Sequence, residues 1–415
     1  MSPESPPAPG GAALGAGRID WDARGTVTVT GPAGEAVAGD GVAAALAALA
    51  SAGGTAGALV GRPAPHAPSA PGAEERAFAA DIDMTSWALI VGDAQIVKVP
   101  RRLGAADRGA RLQRIVAERA PDIVPPVIGT VEHASSGAVI AVVTALVRGA
   151  SDGWTWAVDE LADYLKGARE PLFPERLGAL TARLHAALAD ATATATATAQ
   201  GHSPATLGAA ERASASAALD EVLTLGAGAE ERPGAAARLA ARAGALRALT
   251  ASLPEPSGPR FALHGDLHVG QVLRAADGQL LVIDFDGDPQ HPDDDAVGDA
   301  AVDVAHLQVS LDLVGAIVAK RHGGDEPRIA DWCAGAQQRL LDAYLAEAPE
   351  SRGVPLLDAT RLPGLRAAQL IRELRYAREF LPRWAYAADW ALTHRVPADP
   401  DLEDPPWTPP DFTTT

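Results

Sequence analysis

Apolar and polar positions change their rhythm twice along the chain. "IDWDARGTVTVTG", from Ile19, alternates with a period of two and predicts a hairpin in a small sheet. Residues 1 to about 15 show no such pattern and are expected to be disordered. "GVAAALAALASAG", from Gly41, reads as a helix, and "GRPAPHAPSAPG" breaks the chain after it. "SWALIVGDAQIVKVPRRL", from Ser86, predicts two strands joined at Gly92-Asp93, a favourable turn dipeptide. The pattern turns helical from Arg108 to Arg119. Two more strands follow around Ser135-Ser136-Gly137 in "VIGTVEHASSGAVIAVVTALV". Together these segments predict a mostly antiparallel lobe with one helix packed on it.

From about Asp152 the period lengthens and helices dominate. "WAVDELADYL" and "ERLGALTARLHAALAD" are amphipathic. "ATATATATA", 191–199, reads as a slack loop, because alternating threonines disfavour a helix and offer a strand no apolar face. Residues 206–251 read as Ala/Leu helices broken near Gly226–Gly234. Two apolar runs inside "FALHGDLHVGQVLRAADGQLLVIDFDGDP", 261–289, predict a hairpin turning at Asp277-Gly278. Helices follow from Val302, Ile329, Leu365 and Arg383. The Pro-rich tail "PADPDLEDPPWTPPDFTTT" is expected along the surface.

Length and composition narrow the classes. A chain of 415 residues exceeds one ordinary core and predicts two or three lobes. With 35 Lys+Arg against 53 Asp+Glu, the net charge of −18 disfavours nucleic acid and anionic lipid as partners. Cys333 is the only cysteine, so no intrachain disulfide forms and a reducing cytoplasm fits. The N-terminal residues lack the basic and apolar regions of a secretion signal, and no run of about 18 uninterrupted apolar residues predicts a membrane span. A monomer is expected.

The 261–289 segment concentrates His264, Asp266, His268, Gln271, Asp284, Asp286 and Asp288. An Asp and an amide five residues apart in a loop can converge on one small volume, one orienting a hydroxyl and the other giving an oxygen to Mg²⁺. Mg²⁺ takes hard oxygen ligands and keeps several waters, so one or two carboxylates suffice. Asp284, ending an apolar strand, is the main candidate carboxylate. Lys98, flanked by Ile96, Val97 and Val99, either points outward from a half-buried strand or clamps the phosphates of a nucleotide. The downstream motifs favour the clamp.

Lys98, then His264-Gly265-Asp266 with Gln271, then Asp284-Phe285-Asp286 together resemble the aminoglycoside phosphotransferase and small-molecule kinase family, whose members share the bilobal plan of protein kinases. The nearer resemblance is to its maltokinase-like group, found in actinobacteria. That group has a similar His-Gly-Asp-Leu-His-x-Gly-Gln-x-Leu run and an Asp-Phe-Glu-Gly-Glu-Pro run, which here reads Asp-Phe-Asp-Gly-Asp-Pro from Asp284 to Pro289. The resemblance implies an α+β, protein-kinase-like fold with an N-terminal cap subdomain at 1–84, a nucleotide-binding small lobe at 85–147 and a mostly helical C-terminal lobe at 148–415. It implies an ATP- and Mg²⁺-dependent kinase. Asp266 would be the catalytic base, Gln271 and Asp284 metal ligands, Lys98 the phosphate clamp, and the backbone around Ala145–Val147 the adenine hinge. His264 would brace the loop through a backbone hydrogen bond. His268 is either structural or lines the acceptor pocket, and Asp286 is either a second metal ligand or an acceptor for the loop. No Gly-x-Gly-x-x-Gly loop precedes Lys98. Arg111 stands near where an acid partner for Lys98 is expected, leaving Asp107 and Glu118 as candidates.

The acceptor is read from two stretches. From Asp277 to Asp312 there are ten acidic residues and no Lys or Arg. Asp293–Asp295 read mainly as a solvated loop, whereas Asp299 and Asp303, four apart, share a helix face and suit a sugar ammonium. In "LRAAQLIRELRYAREF", Gln369, Arg372, Glu373 and Tyr376 form one polar stripe, either a solvent face or a wall of the acceptor pocket. Some members of the maltokinase-like group look like glucosamine kinases and carry a similar Gln-x-x-Arg-Glu-Leu run, which "QLIREL" resembles. The resemblance therefore implies glucosamine as acceptor at its 6-hydroxyl, with maltose or an aminoglycoside as the alternatives. A metal-assisted hydrolase built on His264, Asp266, His268 and Asp284 leaves Lys98 without a role. A catalytically dead scaffold of the same fold would be expected to lack the base or the metal carboxylate.

Overall fold

The computed structural model describes residues 8–65, 74–77, 86–103, 105–196, 204–226, 234–288, 297–323, 325–351 and 353–409. They divide into two compact units. The first comprises residues 1–151, 264–266 and 272–296, and the second residues 152–263, 267–271 and 297–415.

The first unit opens with strands β1 (Gly10–Leu14), β2 (Gly17–Trp21), β3 (Val27–Gly31) and β4 (Gly34–Glu35), in sequential antiparallel order. The expected disorder to residue 15 is thus corrected. β1 pairs from Gly10↔Trp21 to Leu14↔Gly17 and buries Ala12 and Leu14, which repays ordering the backbone. Residues 1–7 lie outside the described residues.

Helix α1 (Val42–Ala52) follows, then β5 (Gly54–Ala56), β6 (Leu59–Pro63), β7 (Glu75–Ala77), β8 (Ser86–Val91), β9 (Gln95–Pro100), helix α2 (Ala105–Arg119), β10 (Val127–His133) and β11 (Val139–Ala145). The seven strands form one sheet in the order β5-β6-β10-β11-β9-β8-β7. β5 to β7 therefore belong to the same sheet as β8 to β11, and a cap ending at residue 84 does not separate from it. Of the expected proline-rich break, residues 66–72 lie outside the described residues.

Pleating gives the sheet two working faces. Val97, Val99, Leu89, Val91, Ala141 and Val143 pack with Leu46, Ala47 and Ala50 of α1 in one core. Lys98, opposite Ala88 and Val142, points to the other face, where Val142 packs on Ala110 of α2. Glu75 ties β7 to the first face. Its carboxylate accepts from the backbone N–H of Gly39, Gly41 and Ala44, and so caps α1, whose own N-cap residue, Gly41, has no side chain for the task.

The second unit takes α3 (Gly153–Leu165), α4 (Phe173–Thr196), α5 (Pro204–Gly226), α6 (Ala235–Ala251) and the short strand β12 (Phe261–Ala262). The loop expected at 191–199 is corrected as far as Thr196. The Thr192 hydroxyl donates back to the Leu188 carbonyl at 2.7 Å and accepts the Ala262 N–H at 3.0 Å, so this threonine is satisfied inside a helix. Residues 197–199, the rest of that stretch, lie outside the described residues together with 200–203, as do 227–233, most of the expected break between α5 and α6.

β13 (Val272–Arg274) and β14 (Leu280–Val282) form the expected hairpin and belong to the first unit. The segment assigned from sequence wholly to the C-terminal lobe is therefore shared between units. β15 (Val297–Gly298) pairs with β12 in the second unit, which ends with α7 (Ala301–His322), α8 (Glu326–Glu347), α9 (Leu362–Glu379) and α10 (Ala385–Arg395). Among the described residues α7 alone is long and apolar enough to cross a membrane, and its most apolar window is 94% buried within the protein, as in a core helix.

The tail is not merely laid on the surface. Arg238 pairs with Asp389 and donates to the carbonyls of Pro405 and Pro406, Arg242 pairs with Asp404, and the buried Trp407 donates to Tyr386 O at 3.1 Å. Two buried guanidiniums need acceptors, and the tail supplies two backbone carbonyls to Arg238 and the Asp404 carboxylate to Arg242. Residues 410–415 lie outside the described residues.

Candidate active site

In the first unit β9 delivers Lys98 to the Asp284-Phe285-Asp286 run. Its Nζ donates to Asp284 Oδ1 and, at 2.6 Å, to Asp286 Oδ2. Burial alone would lower the lysine pKa, but the two carboxylates outweigh it and raise it. Burial and the neighbouring Asp284 push the Asp286 carboxyl up, against the pull of Lys98. Asp284 sits at φ 65°, in the left-handed region that a non-glycine residue seldom adopts, immediately after β14 and Ile283.

Two carboxylates converging on one cation suit a hard divalent ion. Among the described residues no group of three or more His, Cys, Asp or Glu is placed to hold a metal ion, whereas one or two carboxylates suffice for Mg²⁺. Asp284 and Asp286 thus fit that ion.

The expected acid partner of Lys98 on α2 is corrected in part. Glu118 is exposed, Lys98 is held by Asp284 and Asp286, and the Asp107 side chain lies outside the described ones. α2 contributes Arg108 instead, which sequence reasoning missed. Arg108 is buried and donates to the carbonyls of Phe285 and, at 3.3 Å, His264. Its only sequence signal is a cation opening the apolar face of α2.

His264 uses both ring nitrogens within the protein. Nε2 donates to the Ile283 carbonyl at 2.9 Å, and Nδ1 accepts the Asp266 N–H at 3.3 Å. A ring so engaged braces the loop and is not a nucleophile or metal ligand, which removes a key member of the hydrolase reading. Asp266 is half-buried, on the loop that this brace fixes.

Beside this face lies a cavity of about 470 Å³, lined by Arg76, Ile90, Leu146, Val147, Arg148 and their neighbours. Its volume suits a nucleotide base. Ile90, opposite Ile96, shares the face of Lys98. Ala145 and Leu146 direct their N–H groups to the carbonyls of Pro126 and Ala94, both at 2.8 Å. Of the expected hinge, Val147 lines the cavity and Ala145 does not.

In the second unit a different cluster forms. Gln369 Nε2 donates to Glu373 Oε1 at 2.6 Å, His306 Nε2 stands 3.4 Å from the same oxygen, and Arg372 reaches His306 Nδ1 at 3.5 Å. His268 packs against His306, with ring centroids 5.6 Å apart, and stacks on Trp154 at 5.4 Å. Burial would raise the Glu373 carboxyl, but the hydrogen bond and charge of His306, then Arg372 and His268, hold it at about 2. Glu373 therefore keeps its charge at neutral pH. Sequence reasoning missed His306 and Trp154. The signal for His306 was its place three residues after Asp303, in the acidic stretch from Asp277 to Asp312. Tyr376 stands farther along α9 with its ring against Phe380. Gln271 ends a single turn, Val269–Gln271, and donates its N–H to His268 O.

Asp299 and Asp303 do not join this cluster, and the expectation that they receive an ammonium is corrected. Asp299, fully buried, pairs with Arg361, which also pairs with Glu211. Asp303, 1% exposed, faces His185 at 3.3 Å, and His185 in turn meets the Tyr344 hydroxyl. Both carboxylates are engaged inside the helix packing. Asp293–Asp295 lie outside the described residues.

Residues 74–352 match the model of the APH phosphotransferase enzyme family. The chain is 37% identical over 334 residues to a glucosamine kinase of Streptacidiphilus jiangxiensis, covering 76% of this chain and 72% of that one. It is 33% identical to a glucosamine kinase of Mycolicibacterium smegmatis, covering 75% and 77%. Among solved structures, a glucosamine kinase matches with a TM-score of 0.75 at 30% identity, over 92% of this chain and 91% of that one. A glucosamine kinase in complex with glucosamine, ADP and inorganic phosphate matches with a TM-score of 0.70 at 30% identity, over 95% and 96%. The expected α+β, protein-kinase-like fold class stands on this likeness.

Proposed function

The chain belongs to the APH phosphotransferase enzyme family, and we propose that it transfers the γ-phosphoryl group of ATP to the 6-hydroxyl of D-glucosamine. The observation that carries the phosphotransfer reading is the convergence of Lys98, Asp284 and Asp286 on one face of a sheet beside a cavity fit for a base. The likeness to glucosamine kinases over about three quarters of the chain supports the acceptor.

The chemistry follows from the roles proposed for these groups. The acceptor oxygen forms a bond to the γ-phosphorus as the bond to the ADP oxygen breaks, and the hydroxyl proton passes to the Asp266 carboxylate. Asp284 and Asp286 would hold Mg²⁺, joined by Gln271 in the assignment that the family motif implies. When bound, the metal would neutralise charge on the phosphate oxygens. Lys98 binds phosphate through its ammonium, and Leu146 to Ala150 bound the base. The reading puts the enzyme in the cytoplasm, where ATP is plentiful.

The acceptor's ammonium is assigned to Glu373, not to Asp299 or Asp303. Glu373 stays ionised, is half-buried, and is surrounded by groups that hydrogen-bond to hydroxyls: Gln369, Arg372, His306 and His268. A charged pair of this kind discriminates a sugar amine from a hydroxyl more sharply than a neutral hydrogen bond does. The test compares kcat/KM for glucosamine, N-acetylglucosamine, glucose, maltose and an aminoglycoside with Mg·ATP. Glucosamine should exceed each of the others. A preference for maltose or for the aminoglycoside would overturn the acceptor assignment, and phosphorylation of none would overturn the kinase reading.

A further inference from the structure

We propose that Arg108 is a positioning residue that holds the two motif loops in register, a role resting on the assignment of Asp284, Asp286 and Asp266 above. One guanidinium nitrogen donates to the carbonyl of Phe285, which lies between the two metal-site carboxylates. Another donates to the carbonyl of His264, two residues before the base. The two carbonyls belong to separate loops, and a planar guanidinium spans both from one rigid group.

The surroundings are shaped to this cation. Gly287 has φ +87°, and a Cβ there would lie 2.9 Å from Arg108 Nη1. A Cβ on Gly109, the next residue of α2, would lie 2.1 Å from Asp286 Oδ1. Side chains are thus absent where the helix, the guanidinium and the Asp286 carboxylate press together. Arg108 is only 6% exposed, and burying a cation costs free energy that a hydrocarbon of similar length would not. Its burial at this point is accounted for if the carbonyls it gathers set the spacing of Asp284 and Asp286 from the Asp266 loop. α2 thereby acts on the site through the backbone of the motifs, in a chain whose Lys98 is held by the motif's own carboxylates.

The test measures ADP affinity by calorimetric titration with and without Mg²⁺, in wild type, Arg108→Met and Arg108→Lys. Methionine keeps length and packing and removes both donors, whereas lysine keeps the charge but lacks the fork. The Mg²⁺-linked gain in ADP affinity should fall about tenfold or more in Arg108→Met, equivalent to about 1.4 kcal/mol, and by less in Arg108→Lys. In the glucosamine assay kcat should fall while KM for glucosamine stays within about twofold. A folded Arg108→Met with the wild-type Mg²⁺-linked gain overturns the proposal. If Arg108→Met does not fold, Gly287→Ala, whose Cβ crowds the guanidinium, must lose the same gain, and failure to lose it overturns the proposal equally. The titration contains no sugar, so a wrong acceptor assignment does not change its outcome. Absence of any Mg²⁺-linked gain in the wild type would overturn this proposal and the metal assignment together.

Discussion

His264 Nε2 donates to the carbonyl of Ile283 at 2.9 Å, joining the loop that carries Asp266 to the residue before Asp284. Because a carbonyl only accepts, the proton sits on Nε2, which leaves Nδ1 to accept from Asp266 N. One neutral ring thereby ties the Asp266 loop to the strand that leads into Asp284. His264→Ala removes both bonds, and kcat is expected to fall about tenfold or more, at about 1 kcal/mol for each lost bond. His264→Asn, which keeps a donor, should lose less. Steady-state kinetics on both variants checks this, and equal loss in the two would show that the hydrogen bond is not what matters.

Asp266→Asn preserves shape and removes the proton acceptor. A kcat loss of about 10²-fold or more is expected, with ADP affinity unchanged. Asp284→Ala should behave differently, losing Mg²⁺-linked nucleotide binding as well as turnover. Near-normal turnover of Asp266→Asn would remove it from the mechanism.

Glu373 carries a pH signature. Its folded value of about 2 lies below the ordinary 4.5, so its contribution to stability is complete above about pH 4.5 and is lost as pH falls towards 2. Glu373→Gln should be less stable than wild type at pH 7, and the gap should close on acidification through that window. Urea unfolding of both proteins between pH 7 and 3 measures it. A gap independent of pH would mean that the carboxylate's charge is not engaged. The same variant should raise KM for glucosamine and leave that for glucose nearly unchanged.

Glu75 caps α1 from another strand, accepting from Gly39 N, Gly41 N and Ala44 N at 2.8 to 3.0 Å. Glu75→Ala is expected to cost about 1–2 kcal/mol and to lower the thermal midpoint. Unchanged calorimetric melting would place those donors in equally good bonds to water.

Much of this molecule was legible along the chain. The strands on either side of Gly92-Asp93, the hairpin around Ser135-Ser136-Gly137 and helices α2, α6 and α9 follow from local periodicity and turn chemistry, and both turn residues at 92–93 have positive φ as that dipeptide predicts. The 261–289 segment stood out because its polar residues cluster within thirty positions. What local pattern reports is which face of an element is buried, not what covers it. β6 pairs with β10 and not with its neighbour in sequence β7, Lys98 meets carboxylates 186 and 188 residues away, and Arg108 finds two carbonyls from two loops. Asp303 looked like a ligand because four-residue spacing put it beside Asp299, yet its carboxylate was taken by His185 on α4. Glu373 looked less promising until His306, from α7, stood next to it. A buried charge is settled by the partner that compensates its desolvation, and in this protein those partners arrive from distant segments that only the tertiary structure brings together.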